Sequence, residues 1–266
     1  MTADTNDDRA ERLQQAIRLK KAAARSRAPE IPPRPPDQPT YLGEMQRGLW
    51  LTHLIDSRSP AYNLSSAYRV YGPLDISRLQ SALNESVARH RILRSTFEVR
   101  GDDVVQIIHP PHPLSVDVIE AGAGEGPATA VREARTPFDL ETGPLIRLQL
   151  IEDRSADERV LLLVLHHILA DERSLGLLWR ELAQGYEGGL SVDGPSTQYD
   201  DYLHWLRIND PSRGRGQLDF WQRRLDPMPD DLRLPFERPA TEQRTAHGRL
   251  LIRTPEATVQ PAIRRL

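Results

Sequence analysis

The stretch Val160-Leu161-Leu162-Leu163-Val164-Leu165-His166-His167-Ile168-Leu169-Ala170-Asp171-Glu172 opens with six aliphatic residues in a row and then turns abruptly polar. Such a run suits a strand buried on both faces. The end of a buried strand is a rigid place from which to present a side chain to a cleft. Two adjacent histidines there, with Asp171 four residues beyond the second, point to proton chemistry near neutral pH. One imidazole can act as a base, and the acid can orient it or anchor the turn. The same three residues also fit a buried polar cluster or part of a metal site, and spacing alone leaves those alternatives open.

Around this stretch, 266 residues are enough for a substantial core in one or two domains. Charged residues make up 27% but balance to a net −3, which gives no basic footprint for nucleic acid or for a membrane surface. The chain has no cysteine, so disulfides, thiolate nucleophiles and Cys-ligated zinc are excluded. No apolar run reaches membrane-span length, and the polar N-terminus lacks a signal-peptide core. A cytoplasmic protein is expected.

Residues 8–27 read as a basic helix with a thin apolar stripe, either a linker or a partner-docking element. The segment from Pro29 to Pro39 holds six prolines and reads as an extended spacer, so the globular part is expected to start near Thr40. A helix follows from Tyr41, with Leu42, Met45, Leu49 and Trp50 marking its inward face. A strand is expected over Ser66 to Tyr71, and a helix with Ile76, Leu79, Leu83 and Val87 inward. A hairpin should turn at Arg100-Gly101-Asp102. Further strands are expected over Leu145 to Ile151 and Arg249 to Thr254. Helices are expected over Ser174 to Tyr186 and Gln217 to Leu225.

His166-His167-x-x-x-Asp171 resembles the HHxxxDG signature of condensation domains of nonribosomal peptide synthetases, in the chloramphenicol acetyltransferase-like superfamily. Other stretches resemble that family's motifs in the same order. Tyr41 to Trp50 is similar to an S-x-A-Q-x-R-L-W run, and Arg89 to Phe97 to RHExLRTxF. Pro137 to Arg147 is similar to PFDLxxGPLxR, Tyr199 to Arg207 to Y-x-D-Y-x-x-W-x-R, and Leu234 to Pro239 to LPxDRP. The resemblance implies an α/β (α+β) fold, a lobe whose mixed sheet is flanked by helices. It also implies this division: residues 1–39 a linker or docking segment, 40–205 the first lobe, and 206–266 the inter-lobe helix with the start of an incomplete second lobe. A fragment of a longer polypeptide, inactive on its own, is therefore expected.

The activity implied is acyl transfer: amide formation between a carrier-bound acyl or peptidyl donor and a carrier-bound aminoacyl acceptor. The partners implied are carrier proteins and neighbouring synthetase domains. Phosphopantetheine rides on the carriers, and the chain itself is expected to hold no cofactor and no metal. By resemblance His167 is the catalytic residue and His166 a support that hydrogen-bonds the turn. Asp171 is implied to form a buried ion pair with Arg94. Glu172 departs from the family's glycine and places a carboxylate near the site, where it could favour the helix N-terminus or meet an amine substrate. Two alternatives stand beside this reading. One is a non-catalytic recruitment domain of the same fold, and the other an acyltransferase using a soluble acceptor or a CoA thioester.

Overall fold

The computed structural model describes residues 30–153, 158–190, 194–209 and 213–226. The expected basic helix over residues 8–27, the Leu234–Pro239 motif and the Arg249–Thr254 strand lie outside the described residues. In chain order the elements are β1 (Thr40–Tyr41), α1 (Glu44–Ile55), β2 (Asn63–Val70) and α2 (Ile76–Arg89). A 3-10 turn (Arg91–Arg94) leads into β3 (Ser95–Arg100) and β4 (Asp103–Ile108). Next come β5 (Val116–Glu120), α3 (Gly126–Ala134), β6 (Ile146–Asp153) and β7 (Glu158–His166). The helices α4 (Glu172–Tyr186), α5 (Tyr199–Asn209) and α6 (Arg213–Leu225) complete the described chain.

The aliphatic run becomes β7, an inner strand of a four-stranded sheet ordered β2-β7-β6-β5. It pairs antiparallel with β2 and β6, whereas β5 and β6 run parallel, so the sheet is mixed. The parallel pair requires a crossover, which α3 supplies. Successive side chains of a strand point to opposite faces, and Val160 to Leu165 are all buried, so both faces of β7 are covered. Helices α2 and α4 pack on each other, with Leu79, Leu83 and Val87 buried on one and Leu175, Leu178 and Leu182 on the other. Gly185 permits the approach. A Cβ there would meet that of Ala82 at 2.8 Å.

A smaller antiparallel sheet, ordered β1-β4-β3, carries the expected hairpin. Arg100 pairs with Asp103 across a two-residue turn, and Gly101 takes a φ of +62°, which glycine adopts without strain.

Three expectations are corrected here. Thr40 and Tyr41 are strand, paired with Gln106 and Val105, so α1 starts only at Glu44. Its inward positions are Gln46 and Trp50, and Met45 is 79% exposed. The folded part also begins before Thr40. The Arg34 N–H donates to Asp201 Oδ1 at 2.8 Å, and its guanidinium pairs with Asp200 at 3.3 Å. Finally, the expected boundary after residue 205 falls inside α5, and the contacts divide the chain between Gly214 and Arg215 instead. Beyond that point, the ring of Phe220 meets that of Trp221 edge-on at 5.3 Å in α6.

Candidate active site

At the end of β7 the ladder gives way to a tight turn. The His166 N–H donates to Leu145 O at 3.0 Å and the His167 N–H to Tyr62 O at 2.8 Å. The Leu169 N–H then closes back onto His166 O at 3.0 Å. The two imidazoles consequently part company. The ring of His166 is only 5% exposed and stands edge-on to Phe138 at 6.4 Å, while that of His167 is half-buried.

His166 serves the turn. Its Nδ1 accepts the Ile168 N–H at 3.1 Å, so the ring is neutral with its proton on Nε2. Burial, followed by the charges of His53 and His167, lowers its pKa from 6.5 to about 4. A base with a depressed folded pKa destabilises the native state where only the unfolded chain takes up a proton. No such loss arises above pH 6.5. As pH falls from 6.5 to about 4, stability should drop by about 3 kcal/mol, at ~1.4 kcal/mol per unit. The lowered carboxylates Asp139 and Asp171 lose their contribution only below 3.8, outside this window. Urea titrations over the pH range check this, with His166→Asn as the comparison. Asparagine keeps an acceptor for the Ile168 N–H and should flatten the profile between 6.5 and 4.

His167 is arranged differently. Its Nδ1 lies 2.7 Å from Ala170 O, and a carbonyl can only accept, so Nδ1 carries the proton. The lone pair therefore sits on Nε2, which has no protein partner among the described residues. A backbone carbonyl thus fixes the tautomer and ring orientation that a base requires.

Asp171 is the N-cap of α4. Its Oδ1 accepts the Ser174 N–H at 2.8 Å and the Ser174 hydroxyl at 2.6 Å. Those hydrogen bonds hold its carboxyl below the usual 3.8. The implied ion pair with Arg94 is not formed. Arg94 turns to the end of β4, where Nη1 donates to the His109 carbonyl, and Asp171 is exposed. Asp171→Ala should then cost about 1 kcal/mol, as loss of a helix cap does, rather than the several of a broken buried pair. A chemical denaturation curve of that variant distinguishes the two.

Glu172 is the first residue of α4 and is exposed. The position is ordinary right-handed helix, so nothing in the backbone demands glycine, and a carboxylate in the first turn favours the helix dipole. Among the described residues, no group of three or more His, Asp or Glu is placed to hold a metal ion.

Two further supports lie outside the histidine motif. Gln46 is buried in α1, where its Oε1 accepts the Gly43 N–H at 3.1 Å and its Nε2 donates to Ile168 O at 2.9 Å. It ties the start of α1 to the histidine turn. The signal was a glutamine placed midway between Leu42 and Trp50, inside an apolar stripe. Arg147 is the second, with its guanidinium 3.8 Å above the Phe138 ring and Nη2 donating to Thr136 O at 2.5 Å. Phe138 is held between that cation and His166.

A mixed sheet whose inner strand ends in a histidine pair, followed by an Asp-capped helix, defines a lobe of the chloramphenicol acetyltransferase-like class. The family model for the Condensation domain matches residues 37–266, and the chain belongs to that family. Its relatives are peptide synthetases of natural-product biosynthesis. It is 38% identical over 228 residues to chondramide synthase cmdD of Chondromyces crocatus, covering 79% of this chain and 6% of the synthase. It is 33% identical over 246 residues to phosphinothricin tripeptide synthetase PhsC of Streptomyces viridochromogenes, covering 87% and 22%. Among solved structures, the X-domain in complex with OxyB from teicoplanin biosynthesis matches with a TM-score of 0.69 and 29% identity, covering 79% of this chain and 48% of that one. The first condensation domain of the CDA synthetase matches in fold, with a TM-score of 0.60 and 22% identity, covering 73% and 52%. The chain thus spans about half the length of these solved domains and a small part of each synthetase.

Proposed function

We propose that this chain supplies the first lobe, and the opening of the second, of a condensation domain that joins two carrier-bound thioesters through an amide. The observation behind this reading is the state of His167, with Nδ1–H held by Ala170 O and Nε2 unengaged. The acceptor's amine attacks the donor thioester carbonyl. Nε2 takes the proton that the nitrogen must lose, and the resulting imidazolium is stabilised through Nδ1–H by the Ala170 carbonyl. Collapse of the tetrahedral intermediate forms the amide and breaks the C–S bond, and the proton passes from Nε2 to the departing thiolate. The partners are carrier proteins in the cytoplasm, and their phosphopantetheine arms bring both substrates. The chain needs no cofactor of its own. Among the described residues no helix is long and apolar enough to cross a membrane.

The test is single-turnover condensation by the full-length synthetase with loaded donor and acceptor carriers. Peptidyl product should accumulate on the acceptor carrier. Two observations favour a second reading, a recruitment domain without catalysis: Glu172 in the place of the family's glycine, and the likeness to an X-domain solved with OxyB. If folded protein and loaded carriers yield no product above the uncatalysed control, the recruitment reading replaces the catalytic one.

A further inference from the structure

We propose that the concave surface around Arg94, His109 and His112 is an oxyanion-binding site, which takes a phosphate or carboxylate group. The cavity has a volume of about 400 Å³. Its polar lining consists of Arg94, Ser95, Thr96, His109, His112 and Thr142, and none of its lining residues is acidic. Its polar side chains are one guanidinium, two imidazoles and three hydroxyls, of which the Ser95 O–H already donates to Arg91 O at 2.9 Å.

Arg94 is the centre of the argument. Among the described residues no carboxylate pairs with it, because Asp171 is engaged as a helix cap. Its Nε is buried without a hydrogen-bond partner, and Nη1 is fixed by the His109 carbonyl. The guanidinium is therefore held in place while part of its donor fork is unused. Burial, and then the neighbouring Arg91, lower its pKa below the usual 12.5, so its charge is poorly compensated. Asp200 attracts it from a distance, but that carboxylate is already shared by Arg34 at 3.3 Å and Arg91 at 2.8 Å. A planar, immobilised, underpaired guanidinium is the group best matched to the two oxygens of a phosphate or carboxylate.

The lining around it is equally set. His109 Nε2 and Thr96 Oγ1 lie 2.8 Å apart, which orders both beside the arginine. The His112 Nδ1–H donates to Pro110 O at 3.3 Å and leaves Nε2 toward solvent or ligand. On one side the wall is Leu145, whose carbonyl accepts the His166 N–H, so an occupant would sit next to the strand that ends in the histidine pair. The assignment stands on these residues alone and holds whether or not the chain catalyses condensation.

The experiment is a titration of the chain with inorganic phosphate at constant ionic strength, balanced with chloride. It is followed through the side-chain Nε–H signal of Arg94 in nitrogen-15 spectra. The signal should move saturably with phosphate. Arg94→Lys, which keeps a charge but not the fork, should bind roughly tenfold more weakly by thermal shift. Free phosphopantetheine and glutarate form the other two arms. Tighter binding of the first assigns the oxyanion to a carrier's arm, and tighter binding of the second assigns it to a carboxylate. Movement that follows ionic strength without saturation overturns the proposal. So does a phosphate-dependent thermal shift that Arg94→Gln leaves unchanged.

Discussion

His167→Ala is expected to slow amide formation by on the order of 10²–10⁴-fold in the full-length synthetase while barely changing the melting of the chain. The rate follows from what is removed: a ring nitrogen whose lone pair is kept available because the Ala170 carbonyl holds the proton on Nδ1. The small effect on melting follows from burial. His167 is half-buried, and water can replace its bond to a partly exposed carbonyl, so about 1 kcal/mol is at stake. His166→Ala should show the opposite balance, because it vacates a buried position and strands the Ile168 N–H. A variant rate within about threefold of wild type would remove His167 from proton transfer.

What could be read from the sequence, and what could not, divides along physical lines. The strand Glu158–His166 was legible because six successive aliphatics can be buried only between two covered faces. Strand alternation points His166 and His167 to opposite faces, but the strand ends at His166 and His167 stands in the turn, so the turn's hydrogen bonds set where the second ring lies. By contrast, the Arg94–Asp171 pair is implied only by the family resemblance, and a pairing depends on where two side chains turn. The local sequence Asp171-Glu172-Arg173-Ser174 already contained the competing answer, an Asp three residues ahead of a serine donor at a helix start. The role of Gln46 is not legible in the sequence because its partner, Ile168 O, lies 122 residues away. Helical spacing alone points Met45 inward, where the structure leaves it exposed. Pairing of Thr40 and Tyr41 with β4 delayed the helix start and left the inward place to a glutamine.

The proline-rich approach misled for a similar reason, and it sets up the second large effect. Asp200→Ala should lower stability by about 3–5 kcal/mol in chemical denaturation. Asp200 is 1% exposed, and its Oδ2 receives Arg91 Nη1 at 2.8 Å and Arg34 Nε at 3.3 Å. Asp201 completes the clamp through the Arg34 N–H at 2.8 Å, the Gln198 N–H at 2.9 Å and Arg91 Nη1 at 3.4 Å. Gln198 in turn accepts the Arg91 N–H at 3.0 Å and donates to Arg89 O at 3.0 Å. Segments around residues 34, 90 and 200 are thereby held at one point. Removing one carboxylate leaves two guanidiniums to a single aspartate. The side chain of Arg34, 12% exposed, has little access to water in exchange. That of Arg91, at 35%, can rehydrate in part, which places the expected loss toward the lower end of the range. Because the groups act together, Arg91→Ala in the Asp200→Ala background should cost much less than Arg91→Ala alone. A loss under about 1 kcal/mol, or simple additivity of the two, would mean that each charge is solvated by itself and that the proline-rich segment is held by something else.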